Sequence, residues 1–178
     1  MNPSRIALLN KLMEMGGDIQ VFNHSSFGKE PIADINIKSS VLNPCEVTSG
    51  DVPNLIDELP ILFIASCFAE GTSTFIDIEE LKHKESDRLK AMQDGLNKMK
   101  IRNFLDGNVF CIEGMGKDYK SPNFLAEANF DHRIAMSFAI AGLNSNSSIE
   151  IASPECINTS FPEFIELGKK LGCNFEIT

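Results

Sequence analysis

Two stretches of this chain, PILFIASCFAEGTSTFIDI and HRIAMSFAIAGLNSNSSIEI, each hold a nearly all-apolar helix that ends near a glycine and runs into a β-branched strand. A helix without a polar face has to be wrapped on every side, so both belong in the middle of a layered fold. Three other stretches share a second pattern, an amphipathic helix followed by alternating residues. In SRIALLNKLMEMGGDIQVF, Ile6, Leu9, Leu12 and Met13 keep helical spacing, Gly16 and Gly17 supply a left-handed stop, and Ile19 and Val21 alternate as a half-buried strand. In SDRLKAMQDGLNKMKIRNFLDGNVFCIEG, the stripe is Leu89, Met92, Leu96 and Met99, and Asp106-Gly107 predicts a hairpin between two apolar runs. In SFPEFIELGKKLGCNFEIT, the stripe is Phe164, Leu167 and Leu171, Gly172 ends the helix, and Cys173, Phe175 and Ile177 alternate as a strand.

The unit that repeats is therefore buried helix, strand, amphipathic helix, hairpin. The chain holds about two of them, over residues 51–117 and 118–178, preceded by the tail of an earlier one within residues 1–50 that lacks its buried helix. That shortfall predicts a chain beginning partway through a larger architecture. Pro, Asn, Ser and Gly gather between Asn43 and Pro53 and between Lys117 and Asn129, marking loops between units.

With 178 residues, 43% of them apolar and 23% charged, the chain has the composition of an ordinary globular protein. Sixteen basic against 25 acidic residues leave a net charge of −9, which gives no support to diffuse binding of nucleic acid or an anionic membrane. An anionic ligand would need a local cluster of cations. The five cysteines form no CxxC pair, and four sit in apolar stretches where a thiol packs as a small hydrophobe, predicting a reducing, cytosolic setting. No signal pattern and no membrane-length apolar run is present.

Two helix starts carry cations where the helix dipole disfavours them. In KHKESDRLKAM, with Ser86 or a neighbour as cap, Arg88 falls in the first turn beside Lys82 and Lys84. In NFDHRIAMSF, with Asp131 as cap, His132 and Arg133 do the same. Either the arginines pair with nearby acids, Glu85 or Asp131, on a solvated surface, or an anion completes each site. The two starts together favour convergence on one anion. Asp57, in LIDELPILFIASCF, reads either as an N-cap or as a general base at the mouth of a site. Glu85 stands between Lys84 and Arg88, which favour its charged form until a bound anion neutralises them, so its use as a general acid would depend on ligand. The three histidines are scattered without ligand spacing and no phosphate loop or nucleophile motif is present, so no metal or cofactor is indicated.

The motifs LIDELP, EELKHKESDRL, FDHRIAMSFAIAGL and ECINTSFPEF, in that order and preceded by NPSR and SFGKEPIADINIKSS, resemble the 3-phosphoshikimate 1-carboxyvinyltransferase (5-enolpyruvylshikimate-3-phosphate synthase) family of the shikimate pathway. The resemblance covers essentially the whole chain but only the C-terminal portion of that longer family. It implies an α/β (α+β) fold of repeated βαβαββ units around buried helices, one domain of a two-domain enolpyruvyl transferase. It also implies transfer of an enolpyruvyl group from phosphoenolpyruvate to the 5-hydroxyl of shikimate 3-phosphate, by addition and elimination, without metal. By motif, Asp57 matches the residue that binds the shikimate hydroxyls and accepts the 5-hydroxyl proton, and Glu85 matches the group that protonates the enol methylene carbon. Lys84 matches a ligand on the shikimate-phosphate side, Arg88 and Arg133 match phosphoenolpyruvate ligands, and His132 matches a histidine lining the site. Thr159 departs from the pattern, since some members carry a lysine there as a further phosphoenolpyruvate contact. The absent N-terminal domain would supply the rest of the site, so the isolated chain is expected to be inactive. The UDP-N-acetylglucosamine carboxyvinyltransferases usually lack the KES-DR and DHR-AM pair, and the RNA 3′-phosphate cyclases are disfavoured by the acidic charge. A non-catalytic fragment or interaction module is the remaining alternative.

Overall fold

The structure, a computed structural model, describes residues 1–145 and 148–176. The chain forms two compact units, one of residues 1–78 with 104–118 and one of residues 79–103 with 119–178. In the first, α1 (Ala7–Glu14) leads into the antiparallel pair β1 (Asp18–Phe27) and β2 (Glu30–Lys38). Next come β3 (Glu46–Val47), the short α2 (Val52–Leu55), α3 (Leu59–Cys67) and β4 (Glu70–Ile76). The chain returns to this unit at Phe104, within β5 (Asn103–Asp106), and continues into β6 (Val109–Met115), and the four-stranded sheet has the order β3-β4-β6-β5. The second unit holds α4 (Arg88–Lys98), β7 (Phe124–Glu127), α5 (His132–Gly142), β8 (Ile149–Ala152) and α6 (Phe164–Lys170).

Both all-apolar helices are crossovers between parallel strands, α3 joining β3 to β4 and α5 joining β7 to β8. The order β3-α3-β4-α4-β5-β6 completes one βαβαββ repeat, and β7-α5-β8-α6 begins another. Each crossover ends alike. Asp77 after β4 and Ser153 after β8 take left-handed φ of 59° and 53°, and each leads into a 3-10 segment, Glu79–His83 or Pro154–Thr159.

The first unit is centred on α3, whose Leu59, Leu62, Phe63 and Cys67 have no solvent exposure. Phe63 meets Phe75 of β4 edge-on at 4.6 Å and Phe110 of β6 at 5.1 Å, an arrangement that adds to the burial of three rings. Burial pushes the Cys67 thiol up, and its sulfur donates to the Phe63 carbonyl oxygen at 3.1 Å, so it behaves as a packed hydrophobe. In the second unit Phe138 of α5 packs edge-on against Phe124 of β7 at 5.9 Å. The face of α4 opposite Phe138 is Gly95, where an added Cβ would fall 1.9 Å from the ring.

Three helices end in one way. The N–H groups of Gly16 and Gly17 bond the carbonyls of Met13 and Leu12 after α1, and those of Lys100 and Ile101 bond Asn97 and Leu96 after α4. Those of Gly172 and Cys173 bond Lys169 and Gly168 after α6. This is the Schellman pattern, which needs a left-handed residue just past the helix. Gly16 and Gly172 supply it at φ of 92° and 88°, whereas Lys100 sits at 64° with a Cβ that resists it. Lys100→Gly is therefore expected to stabilise the second unit by about 0.5–1 kcal/mol, read as a rise in the urea midpoint with an unchanged slope.

Three expectations are corrected. Cys173–Glu176 forms no strand, and Ile177 lies outside the described residues. Phe175 folds back instead, stacking on Phe164 at 5.5 Å over Gly168. The buried side of α6 is consequently Phe164, Ile165 and Gly168, leaving Leu167 and Leu171 of the expected stripe exposed. The second apolar helix also has an outer face, since Ile140 and Leu143 are exposed at 37% and 46%.

Candidate functional site

In the second unit, Asp87 caps α4 by accepting from the Lys90 backbone N–H at 2.9 Å, so the helix begins on Arg88. Asp87, rather than Ser86, does this because its side chain reaches the third residue of the helix. Asp131 caps α5 in the same manner, accepting from the Arg133 backbone N–H at 2.9 Å. Asn129 and Phe130, both left-handed at 52° and 58°, deliver Asp131 to that position. Two such residues without glycine are costly, which marks this turn as one that the surrounding contacts enforce.

Arg88 and Asp131 are both fully buried and bonded to one another, Nε of the arginine donating to Oδ2 at 2.8 Å. The Ser86 hydroxyl donates to the same carboxylate oxygen at 3.1 Å. Nη2 of the same guanidinium donates to Glu85 Oε2. Glu85 is the outer member of this trio, with 54% of its side chain exposed. The nearby-acid reading of Arg88 thus holds for both acids at once, but inside the unit rather than on a solvated surface. A guanidinium bonded through Nε to a buried carboxylate and through Nη2 to an accessible one is held in a set orientation.

Lys84 pairs with Glu80 one turn back, Nζ to Oε1 at 2.6 Å. His132 and Arg133 are half-buried in the first turn of α5. Arg88, Glu85, Asp131 and Ser86 are therefore brought into direct contact, and the backbone of Arg133 joins them through Asp131. Asp57 belongs to the first unit, in the turn between α2 and α3. Its N-cap reading fails: the residue before α3 is Glu58, and no side chain caps that helix. Thr159 closes its 3-10 segment, Oγ1 donating to the Cys156 carbonyl at 2.7 Å. Asp131 was legible as a cap, but its grip on Arg88 spans 43 residues of sequence, a separation that no local pattern reports. Among the described residues no helix is long and apolar enough to cross a membrane.

Residues 1–167 match the family model described as EPSP synthase (3-phosphoshikimate 1-carboxyvinyltransferase). The chain is 43% identical to the 3-phosphoshikimate 1-carboxyvinyltransferase of Zymomonas mobilis over 180 residues, covering 99% of this chain and 40% of that protein. It is 42% identical to the protein of the same name from Petrotoga mobilis, covering 96% and 39%. The chain thus spans about 40% of the length of these relatives. Among solved structures, EPSP synthase from Acinetobacter baumannii superposes with a TM-score of 0.94 at 42% identity, over 100% of this chain and 41% of that one. The enolpyruvyl transferase NikO from Streptomyces tendae shares the fold at a TM-score of 0.69 and 19% identity, over 97% and 36%.

Proposed function

This chain belongs to the EPSP synthase family, and from that premise we propose that it forms the C-terminal part of an enzyme joining phosphoenolpyruvate to shikimate 3-phosphate. The supporting observation is the buried Arg88, held at the start of α4 by the Asp131 that also starts α5. That lock orients a cation and a half-exposed carboxylate for a small polyanion.

In the proposed reaction Asp57 accepts the proton of the 5-hydroxyl as its oxygen attacks C2 of phosphoenolpyruvate, and Glu85 delivers a proton to the methylene carbon. In the tetrahedral adduct the C–O bond to phosphate then breaks as the Glu85 carboxylate takes back a methyl proton, which restores the double bond. Arg88 and Arg133 hold the phosphoenolpyruvate anion, Lys84 faces the shikimate phosphate and His132 lines the site. The remaining portion of the relatives' length supplies the other wall, and closure over the substrates excludes water. A cytoplasmic setting is part of the same proposal, in keeping with five free cysteines.

A coupled phosphate-release assay tests it. The isolated chain is expected to release no phosphate. Joined to the N-terminal portion of the Zymomonas mobilis relative, it should release phosphate only when both substrates are present. Asp57→Asn in that joined protein should lower kcat by about 10²–10⁴-fold, the worth of a general base. Full turnover by the isolated chain, or an unchanged kcat in Asp57→Asn, would sink the reading.

A further inference from the structure

Asp131 and Glu85, both bonded to Arg88, differ in a way that the reaction does not require. Asp131 has no exposure, accepts from Arg88, Ser86 and the Arg133 backbone, and caps a helix, so it cannot leave without uncovering several donors. Glu85 lies in the segment just ahead of α4, three residues before Arg88, with more than half of its side chain in water. Its departure would release the one contact it makes to the guanidinium, at Nη2. Because the Glu85 carboxylate is more than half in water, its hold on the buried guanidinium is weaker than that of an enclosed carboxylate, whereas a bidentate anion on an oriented guanidinium is worth more. Arg88 itself has no solvent-accessible surface, and Glu85 is the half-exposed acid bonded to its Nη2, so an anion that takes that carboxylate's place reaches the guanidinium from the solvent side.

We propose that Glu85 is an exchangeable placeholder on Arg88: a substrate oxyanion displaces it, while Asp131 keeps the guanidinium aimed. This rests on the proposed function, since it assigns a loading step to the same site. Displacement would swing the Glu85 carboxyl away from the arginine and make it available to the substrate that evicted it. Substrate loading and release of the proposed acid would then be one event. Arg88 would also carry a negative partner at all times, avoiding a buried unpaired cation in the empty site.

The test uses this chain and inorganic phosphate as the probe, following phosphate affinity and the Arg88 Nε–H resonance by NMR. Glu85→Gln removes the competitor. Glu79→Gln removes an equal charge from the neighbouring 3-10 segment without touching Arg88. Glu85→Gln is expected to tighten phosphate roughly fivefold, the equilibrium worth of a partly exposed ion pair. Glu79→Gln should change it by under about twofold, a screened long-range effect. In both the wild type and Glu85→Gln the Arg88 resonance should move with phosphate. Equal effects of the two variants, or an Arg88 resonance that phosphate never moves, would overturn the exchange. Those results leave the proposed reaction standing if the joined protein turns over. Phosphate exchange in a joined protein without turnover would do the reverse.

Discussion

Asp131→Ala is expected to destabilise the second unit by about 4 kcal/mol, because it leaves the Arg88 guanidinium buried with its Nε partner removed. The loss has two separable parts. Asparagine at 131 still accepts from the Arg133 backbone, so Asp131→Asn should restore about 1 kcal/mol, the worth of the cap, and leave the charge deficit. Arg88→Met combined with Asp131→Asn should cost less than the sum of the two single changes, since the pair then leaves together. The measurement is hydrogen exchange across α4 and α5 with urea unfolding of each variant. An Asp131→Ala protein as stable as the parent would show that the burial of this pair carries no weight.

Gly114→Ala is expected to cost the first unit about 3 kcal/mol, although the change adds one methyl group. A Cβ at Gly114 would lie 2.3 Å from the Ala69 carbonyl oxygen and 2.4 Å from that of Ser66, both main-chain atoms at the end of α3. Backbone cannot swing aside as a side chain can. The close approach has its own use, because it lets the Gly116 N–H reach the Ala69 oxygen at 3.0 Å. Gly107 gives the contrast within the same hairpin: it stands in open space at φ 60°, so Gly107→Ala should cost only about 1 kcal/mol, from conformation alone. Thermal unfolding followed by near-ultraviolet signals of Phe63, Phe75 and Phe110 separates the two. Equal losses at both positions would contradict the steric account.

Much of the architecture was readable in the chain. An all-apolar stretch such as Leu59–Cys67 has few folded solutions, and α3 takes the central one, buried almost all round. Gly16 and Gly172 announced helix ends, and Asp106-Gly107 announced the β5–β6 hairpin. Lys100 makes the same left-handed stop as those glycines without their signature, so only its bonds to Asn97 and Leu96 reveal it. The alternation of Cys173, Phe175 and Ile177 misled because period two says a segment can be a strand, not that an edge awaits it. Phe175 had a ring to stack on instead.

The candidate site divides along the same line. That cations stand in the first turns of two helices follows from residue order and the caps, both local properties. Which acid neutralises Arg88, and whether it does so in water or out of it, does not. Residue order placed Glu85 three positions away and Asp131 forty-three, with nothing to rank them. Packing of α4 beside α5 ranked them, because it enclosed Arg88 together with the multiply bonded Asp131 and left Glu85 more than half in water. Local pattern reports what a segment prefers. The cost of burying charge is set by everything that surrounds it, and so is known only once the chain has folded.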